Sequence, residues 1–348
     1  MVRHQDHAAD HHQGHGRARR VLTALLLGFL AVVFGQASAS RADGRPFVAY
    51  HASWYEPPAT SAEQTTLARL PRYISIVMLG FARPDTAYDG GDDLASTGLQ
   101  YPFSRTLLGQ AISALKKKNP ETKVLVAVGG SGYPGWDRLN EAALASLVRD
   151  IGADGIDVDF EPRDPDCQRN AEGQITCSSD AQWRDYVSRI RKVLPRPYMV
   201  TVPGWSVGAY GEGRFINALP KSPWTGVMLP LLRSAEARDI DLVSIMAYDA
   251  GPSFSPIEAL KAYRSYWPGP LALGIPVMPP THGEARLSAR AAQTLMQDVA
   301  ANPRAGAMLY ALRETPPGHI SPDNPDAAML ARAICLGLGL SGCDEPVP

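Results

Sequence analysis

The sequence predicts an α/β protein of the (β/α)8 or TIM barrel class, and three observations carry that expectation. Eight apolar runs of strand length recur between residues 46 and 312, and helical patterns fall between most of them. The runs are apolar almost throughout, as strands of a parallel sheet buried on both faces have to be. No G-x-G-x-x-G turn follows the first run, which removes the main support for a doubly wound open sheet.

The elements follow in order. "PFVAYHASW" (46–54) and "RYISIVMLGFA" (72–82) are the first two strands. "SRTLLGQAISALKKKN" then begins with a Ser cap and ends in a basic turn, both favourable for a helix. After the strand "KVLVAVGG" (123–130), the helix "NEAALASLVRDIG" stops at Gly152. The strand "GIDVDFE" (155–161) leads to the helix "DAQWRDYVSRIRKVL", which starts at an Asp cap and halts before Pro195. Four strands complete the set: "YMVTVPG" (198–204), "DLVSIMAYD" (241–249), "PLALGIPVM" (270–278) and "AGAMLYAL" (305–312). Helical patterns recur in "LSARAAQTLMQDVAAN" and "PDAAMLARAICLGLG". No linker, low-complexity tract or repeat interrupts the chain after residue 46, so residues 40–348 read as one domain.

Residues 1–39 read differently. A polar stretch ending in Arg19 and Arg20 precedes the apolar "VLTALLLGFLAVVF" and the small-residue "GQASAS". That order describes an export signal peptide cleaved after Ala39, and the apolar run is short for a membrane span. Five of the eight histidines lie in this leader and read as a solvated segment. Without the leader, 30 basic residues face 33 acidic ones, so nothing suggests nucleic acid as a partner or a membrane-surface helix. The four cysteines suit an exported, secreted or periplasmic protein. Three pairings are possible; the local ones, Cys167–Cys177 and Cys335–Cys343, need the least rearrangement of the chain. Neither pair has C-x-x-C spacing or a nearby histidine, which argues against zinc.

The fourth strand carries the chemistry. Ile156, Val158 and Phe160 share one parity, whereas Asp157, Asp159 and Glu161 share the other. In a barrel the apolar set faces the helices, so the acids point inward and climb toward the C-terminal mouth, with Asp157 deep and Glu161 at the rim. Crowded carboxylates cannot all ionise at low cost, and a raised pKa is what a general acid near neutral pH needs.

These residues resemble glycoside hydrolase family 18, the chitinase family. "DGIDVDFE" matches its D-G-x-D-x-D-x-E signature at Asp154, Gly155, Asp157, Asp159 and Glu161. "YHASW" is similar to its first-strand Y-x-x-x-W at Tyr50 and Trp54, and "MAYD" to its M-x-Y-D at Met246, Tyr248 and Asp249. "VLVAVGG" and "LGIP" resemble its third and seventh strands, so the likeness runs over residues 46–335.

The resemblance implies a retaining hydrolase that cleaves N-acetylglucosamine-containing glycans, chitin or its oligosaccharides, through the substrate's own 2-acetamido group. Glu161 would be the acid, Asp159 would orient the acetamido group, Asp157 would share a proton with Asp159, and Tyr248 would hold the acetamido carbonyl. Asp249, Met246, Tyr50, Trp54 and Tyr310 would contact substrate. No cofactor or metal is implied, and the enzyme is expected to act as a monomer.

Two positions depart from the family pattern. Ala127 replaces the usual Ser, removing a hydroxyl partner of Asp157, and Tyr310 replaces the usual Trp under the central sugar. Only residues 279–304 separate strands seven and eight, so the inserted module of some relatives is missing and an open groove suited to endo cleavage is expected. Trp54, Tyr133, Trp136, Trp205 and Tyr210 follow strands one, three and five on the side where sugar subsites would lie. The competing readings are an endo-β-N-acetylglucosaminidase acting on glycoprotein or peptidoglycan, a sugar-binding barrel without catalysis, and a hydrolase binding a hard cation at the three acids.

Overall fold

The computed structural model describes residues 44–348. The export signal expected over residues 1–39 and its cleavage point lie outside them. Eight strands form a closed barrel: β1 (Phe47–Ala52), β2 (Ile76–Ala82), β3 (Lys123–Gly129), β4 (Gly155–Asp159), β5 (Met199–Trp205), β6 (Leu242–Met246), β7 (Leu271–Pro276) and β8 (Ala305–Leu312). Each pairs in parallel with its sequence neighbours, and β8 closes on β1. This is the (β/α)8 barrel that the strand count predicts.

The helices are α1 (Arg105–Lys118), α2 (Glu141–Asp150), α3 (Asp180–Val193), α4 (Leu229–Arg233), α5 (Pro256–Tyr266), α6 (Ala289–Ala300) and α7 (Ala327–Leu338). Side-chain caps start four of the predicted ones: Ser104, Asn140, Ser288 and Asp326 each accept a backbone N–H of the first turn. The helix after β4 departs from expectation. Its N-cap is Ser179, without a side-chain bond, and Asp180 is its first residue.

Two helices were not legible in advance. The five-residue α4 is too short to show a period, and α5 opens on Ser255–Pro256, a cap with proline in the first turn. Between β1 and β2 the described residues hold only 3-10 turns, so the first crossover has no helix.

The core has two layers. One packs the outward strand residues, including Ile156, Val158 and Phe160, against the helices. The other fills the barrel with Val48, Tyr50, Met78, Leu125, Ala127, Ala272 and Met308 among its members. Acidic residues at strand starts pin the register. Asp154 accepts from the Val124 N–H (2.8 Å) and pairs with Lys116 (2.6 Å). Asp241 does the same for the Val200 N–H (2.9 Å) and pairs with Arg191 (2.5 Å). Gly155 is forced by crowding, because a Cβ there would sit 2.0 Å from the Met199 carbonyl oxygen. Cys167 is bonded to Cys177 and Cys335 to Cys343. The first bridge closes a small hairpin that pairs Gln168 and Arg169 with Thr176 and Ile175.

Candidate active site

The strand parity of β4 puts Asp157, Asp159 and Glu161 on the barrel side, rising toward the mouth. Asp157 is wholly buried, and both its oxygens accept hydroxyl donors: Oδ2 from Tyr50 Oη (2.7 Å) and Oδ1 from Thr201 Oγ1 (2.5 Å). Burial pushes its pKa up to about 6, against the downward pull of Thr201 and Tyr50.

Asp159 is 5% exposed, and its buried Oδ1 has no hydrogen-bond partner. Burial, then the charges of Glu161 and Asp157, drive its carboxyl well above the usual range. Glu161, half-buried two residues beyond the strand end, is raised by burial to about 7. The ladder therefore holds a deep acid with its acceptors filled, a middle acid with a free oxygen, and a rim acid that titrates near neutrality.

The ladder opens into a groove of about 1510 Å³ whose walls come from the loops after the strands. Its floor is aromatic. Tyr310 lies edge-on to Tyr50 (5.4 Å between centroids) and stacks loosely on Tyr248 (6.2 Å). Phe81 completes the floor between Tyr50, Tyr133 and Trp54. Trp54, at 39% exposed, forms part of the rim. Tyr248 is half-buried beyond β6, and Met246 lies in register with Trp205. Trp205 stacks on Trp224 (4.6 Å, 11°), and Trp224 Nε1 donates to the Pro162 carbonyl (2.8 Å), next to Glu161.

Several sequence expectations are revised. Tyr50 lines the groove but is 2% exposed, and its hydroxyl is committed to Asp157, so it also supports the ladder. Ala127 does not leave Asp157 short of a hydroxyl partner, because Thr201 provides one from the other flanking strand. Asp249 lines the groove, but its Oδ1 already accepts from Thr281 N–H (2.5 Å) and Oγ1 (2.8 Å). Tyr210 is fully buried and stacked on Phe215, so it belongs to the core; Trp136 lines the groove but is largely buried against Phe160 and Tyr186.

Three site residues escaped the sequence reading. Phe81 breaks strand parity because the β2–β3 register shifts between Leu79 and Ala82, which turns it inward beside Met78. Thr201 had a signal, a lone hydroxyl on the inward row of an apolar strand. Trp224 sits in a loop without periodicity and had none. Among the described residues, no three His, Cys, Asp or Glu side chains are grouped to hold a metal ion.

No protein-family model matches the chain. A curated chitinase of Plasmodium falciparum (isolate 3D7) is 26% identical over 152 residues, a match spanning 39% of this chain and only 38% of that protein. A GH18 chitinase from Pseudoalteromonas aurantia superposes with a TM-score of 0.57 at 17% identity, covering 84% of this chain and all of the other. Catalytic domain 2 of an Ostrinia furnacalis Group II chitinase, a mutant in complex with (NAG)5, gives 0.54 at 15% identity, covering 85% and 97%. YKL-39, solved in the presence of chitooligosaccharides, gives 0.56 at 13%, covering 84% and 99%. The chain has a GH18-like chitinase fold and a distant sequence similarity to a chitinase.

Proposed function

We propose that the protein is a retaining glycosidase that hydrolyses β-1,4 bonds of N-acetylglucosamine-containing glycans by substrate-assisted catalysis. The observation that carries this reading is the ladder on β4: one buried acid whose oxygens are filled by hydroxyls, one with a free buried oxygen, and one raised to about 7 at the groove.

Glu161 meets the glycosidic oxygen at the rim and gives it a proton, a role that suits an acid half-protonated near pH 7. The glycosidic bond breaks as the substrate's acetamido oxygen attacks the anomeric carbon from the opposite face, forming a cyclic oxazolinium ion. Asp159 receives the acetamido N–H on its unpaired Oδ1 and offsets the developing positive charge. Tyr248, whose phenol is held protonated chiefly by burial, donates to the acetamido carbonyl. Water, deprotonated by Glu161, then opens the ring with retention. Tyr310, Trp54 and the Trp205–Trp224 pair provide flat apolar faces for pyranose rings. Residues 1–39 are proposed to direct export, which places the activity outside the cytoplasm.

The test is Glu161→Gln, which keeps the shape and removes the transferable proton. Hydrolysis of N-acetylglucosamine oligomers should fall at least about 10²-fold while oligosaccharide binding persists. A variant that hydrolyses at the parent rate refutes the assignment. A parent that binds these oligomers without cleaving them makes the protein a lectin, and loss of activity with a chelator makes it a metal hydrolase.

A further inference from the structure

Residues 127, 157 and 201 lie side by side on three adjacent strands, since Ala127 pairs with Asp157 and Asp157 with Thr201. Asp157 thus has a flanking position on either side, and only the β5 side carries a hydroxyl. Thr201 is wholly buried in the barrel, and donation to Asp157 Oδ1 is the one bond its hydroxyl makes with a side chain among the described residues.

A hydroxyl that donates its proton stabilises the carboxylate over the carboxylic acid, and a buried hydrogen bond to a charged group is among the stronger ones. Tyr50 donates to the other oxygen. Asp159, one step up the strand, has no such donor on Oδ1. Two like acids so close cannot both ionise at low cost, so the charge settles where the donors are.

We propose that Thr201 is a positioning residue that, with Tyr50, holds the ladder's negative charge on Asp157 and leaves the proton on Asp159. A protonated Asp159 still offers one oxygen to an acetamido N–H, while Asp157 beneath it provides the charge that draws the proton down as the oxazolinium forms. The inference rests on the hydrolase reading for its kinetic part only. The titratable groups facing Asp157 are Asp159 on its own strand and Tyr50 from β1; Tyr248, beyond β6, faces Tyr50 and Asp159.

The test compares Thr201→Val, which keeps the volume and deletes the hydroxyl, with Thr201→Ser and with Ala127→Ser. Thr201→Val should lower kcat about 10- to 100-fold with little change in KM, a span set by the strength of bonds to charged groups. It should also move the acidic limb of the kcat/KM profile to higher pH. Thr201→Ser should stay within about threefold of the parent, and adding Ala127→Ser to Thr201→Val should recover most of the loss by supplying the hydroxyl from the opposite strand. In the parent background Ala127→Ser should move the limb to lower pH, which keeps the idea testable if Thr201→Val does not fold.

A stability readout independent of catalysis separates the two proposals. The melting temperature of Thr201→Val should match that of the parent up to about pH 6 and fall progressively below it as pH rises to 8, because only there does the parent's Asp157 ionise while the variant's keeps its proton. If the parent cleaves nothing yet this divergence is seen, the function is wrong and the role of Thr201 stands. An unchanged limb with parallel melting curves, or a Thr201→Val loss that Ala127→Ser leaves untouched, overturns the role of Thr201.

Discussion

Glu161→Gln should make the protein more stable in mild alkali, and the size of the gain follows from the burial of the acid. Glu161 is raised from an ordinary 4.5 to about 7 by burial. A folded-state pKa above the unfolded one means that the folded protein binds this proton more tightly. Stability is therefore undiminished below about pH 4.5, is lost as pH rises toward 7, and levels off above it. The full loss is about 3 kcal/mol, at 1.36 kcal/mol for each tenfold change in proton affinity. Glutamine has no proton to lose, so the variant escapes the penalty. With roughly 2.1 cal/mol/K of unfolding entropy per residue over about 300 ordered residues, 3 kcal/mol corresponds to about 5 °C. Melting curves of parent and variant, followed by circular dichroism between pH 4.5 and 8.5, should coincide at the acid end and separate by about this amount at the alkaline end. Parallel curves across that range would show that Glu161 is not held protonated by its surroundings, and the argument for it as the acid would lose its physical basis.

Other substitutions probe other parts of the account. Gly155→Ala should prevent folding or cost more than about 3 kcal/mol, because its methyl group would sit 2.0 Å from the Met199 carbonyl oxygen, far inside van der Waals contact; soluble yield and urea unfolding decide it. Trp224→Phe keeps the stack on Trp205 but deletes the bond to the Pro162 carbonyl, so a loss of about 1 kcal/mol and a lower kcat are expected from unfolding and steady-state assays. Asp159→Asn should reduce hydrolysis of N-acetylated oligomers at least about 10²-fold, read as reducing ends released. Replacing Cys335 and Cys343 together by Ser should lower stability by about 2 kcal/mol, since the bridge closes a short loop, and thiol titration of the unfolded parent should find no free cysteine.

The barrel was legible because its evidence is periodic. Eight apolar runs stand out in any window, and Ser104 announces a helix start with a side chain that bonds to the first turn, although the Asp read as a cap at residue 180 is the first helical residue instead. The ladder was legible for the same reason, since a period of two assigns Asp157, Asp159 and Glu161 to one face as soon as the barrel assigns the apolar face to the helices. Most of what escaped does not follow a period. Phe81 turns inward because the β2–β3 register shifts, a local event that alternation misreads. Tyr210 has the composition of a sugar platform, yet packing buries it fully, stacked on Phe215, and alternation along the strand does not disclose that. The hydroxyl supplied by Thr201 depends on which strands flank β4. The predicted barrel already sets β5 beside β4, so this lone inward hydroxyl carried a signal that the missing Ser at residue 127 drew attention away from.

The central claim is that the substrate's own acetamido group attacks while Glu161 donates the proton, and proton NMR of the first products tests it most directly. The parent protein should release the β-anomer first from a β-1,4-linked N-acetylglucosamine oligomer, with the α-anomer appearing only by mutarotation, and should leave the fully deacetylated oligomer intact. Initial release of the α-anomer, or equal cleavage of the deacetylated oligomer, would contradict it.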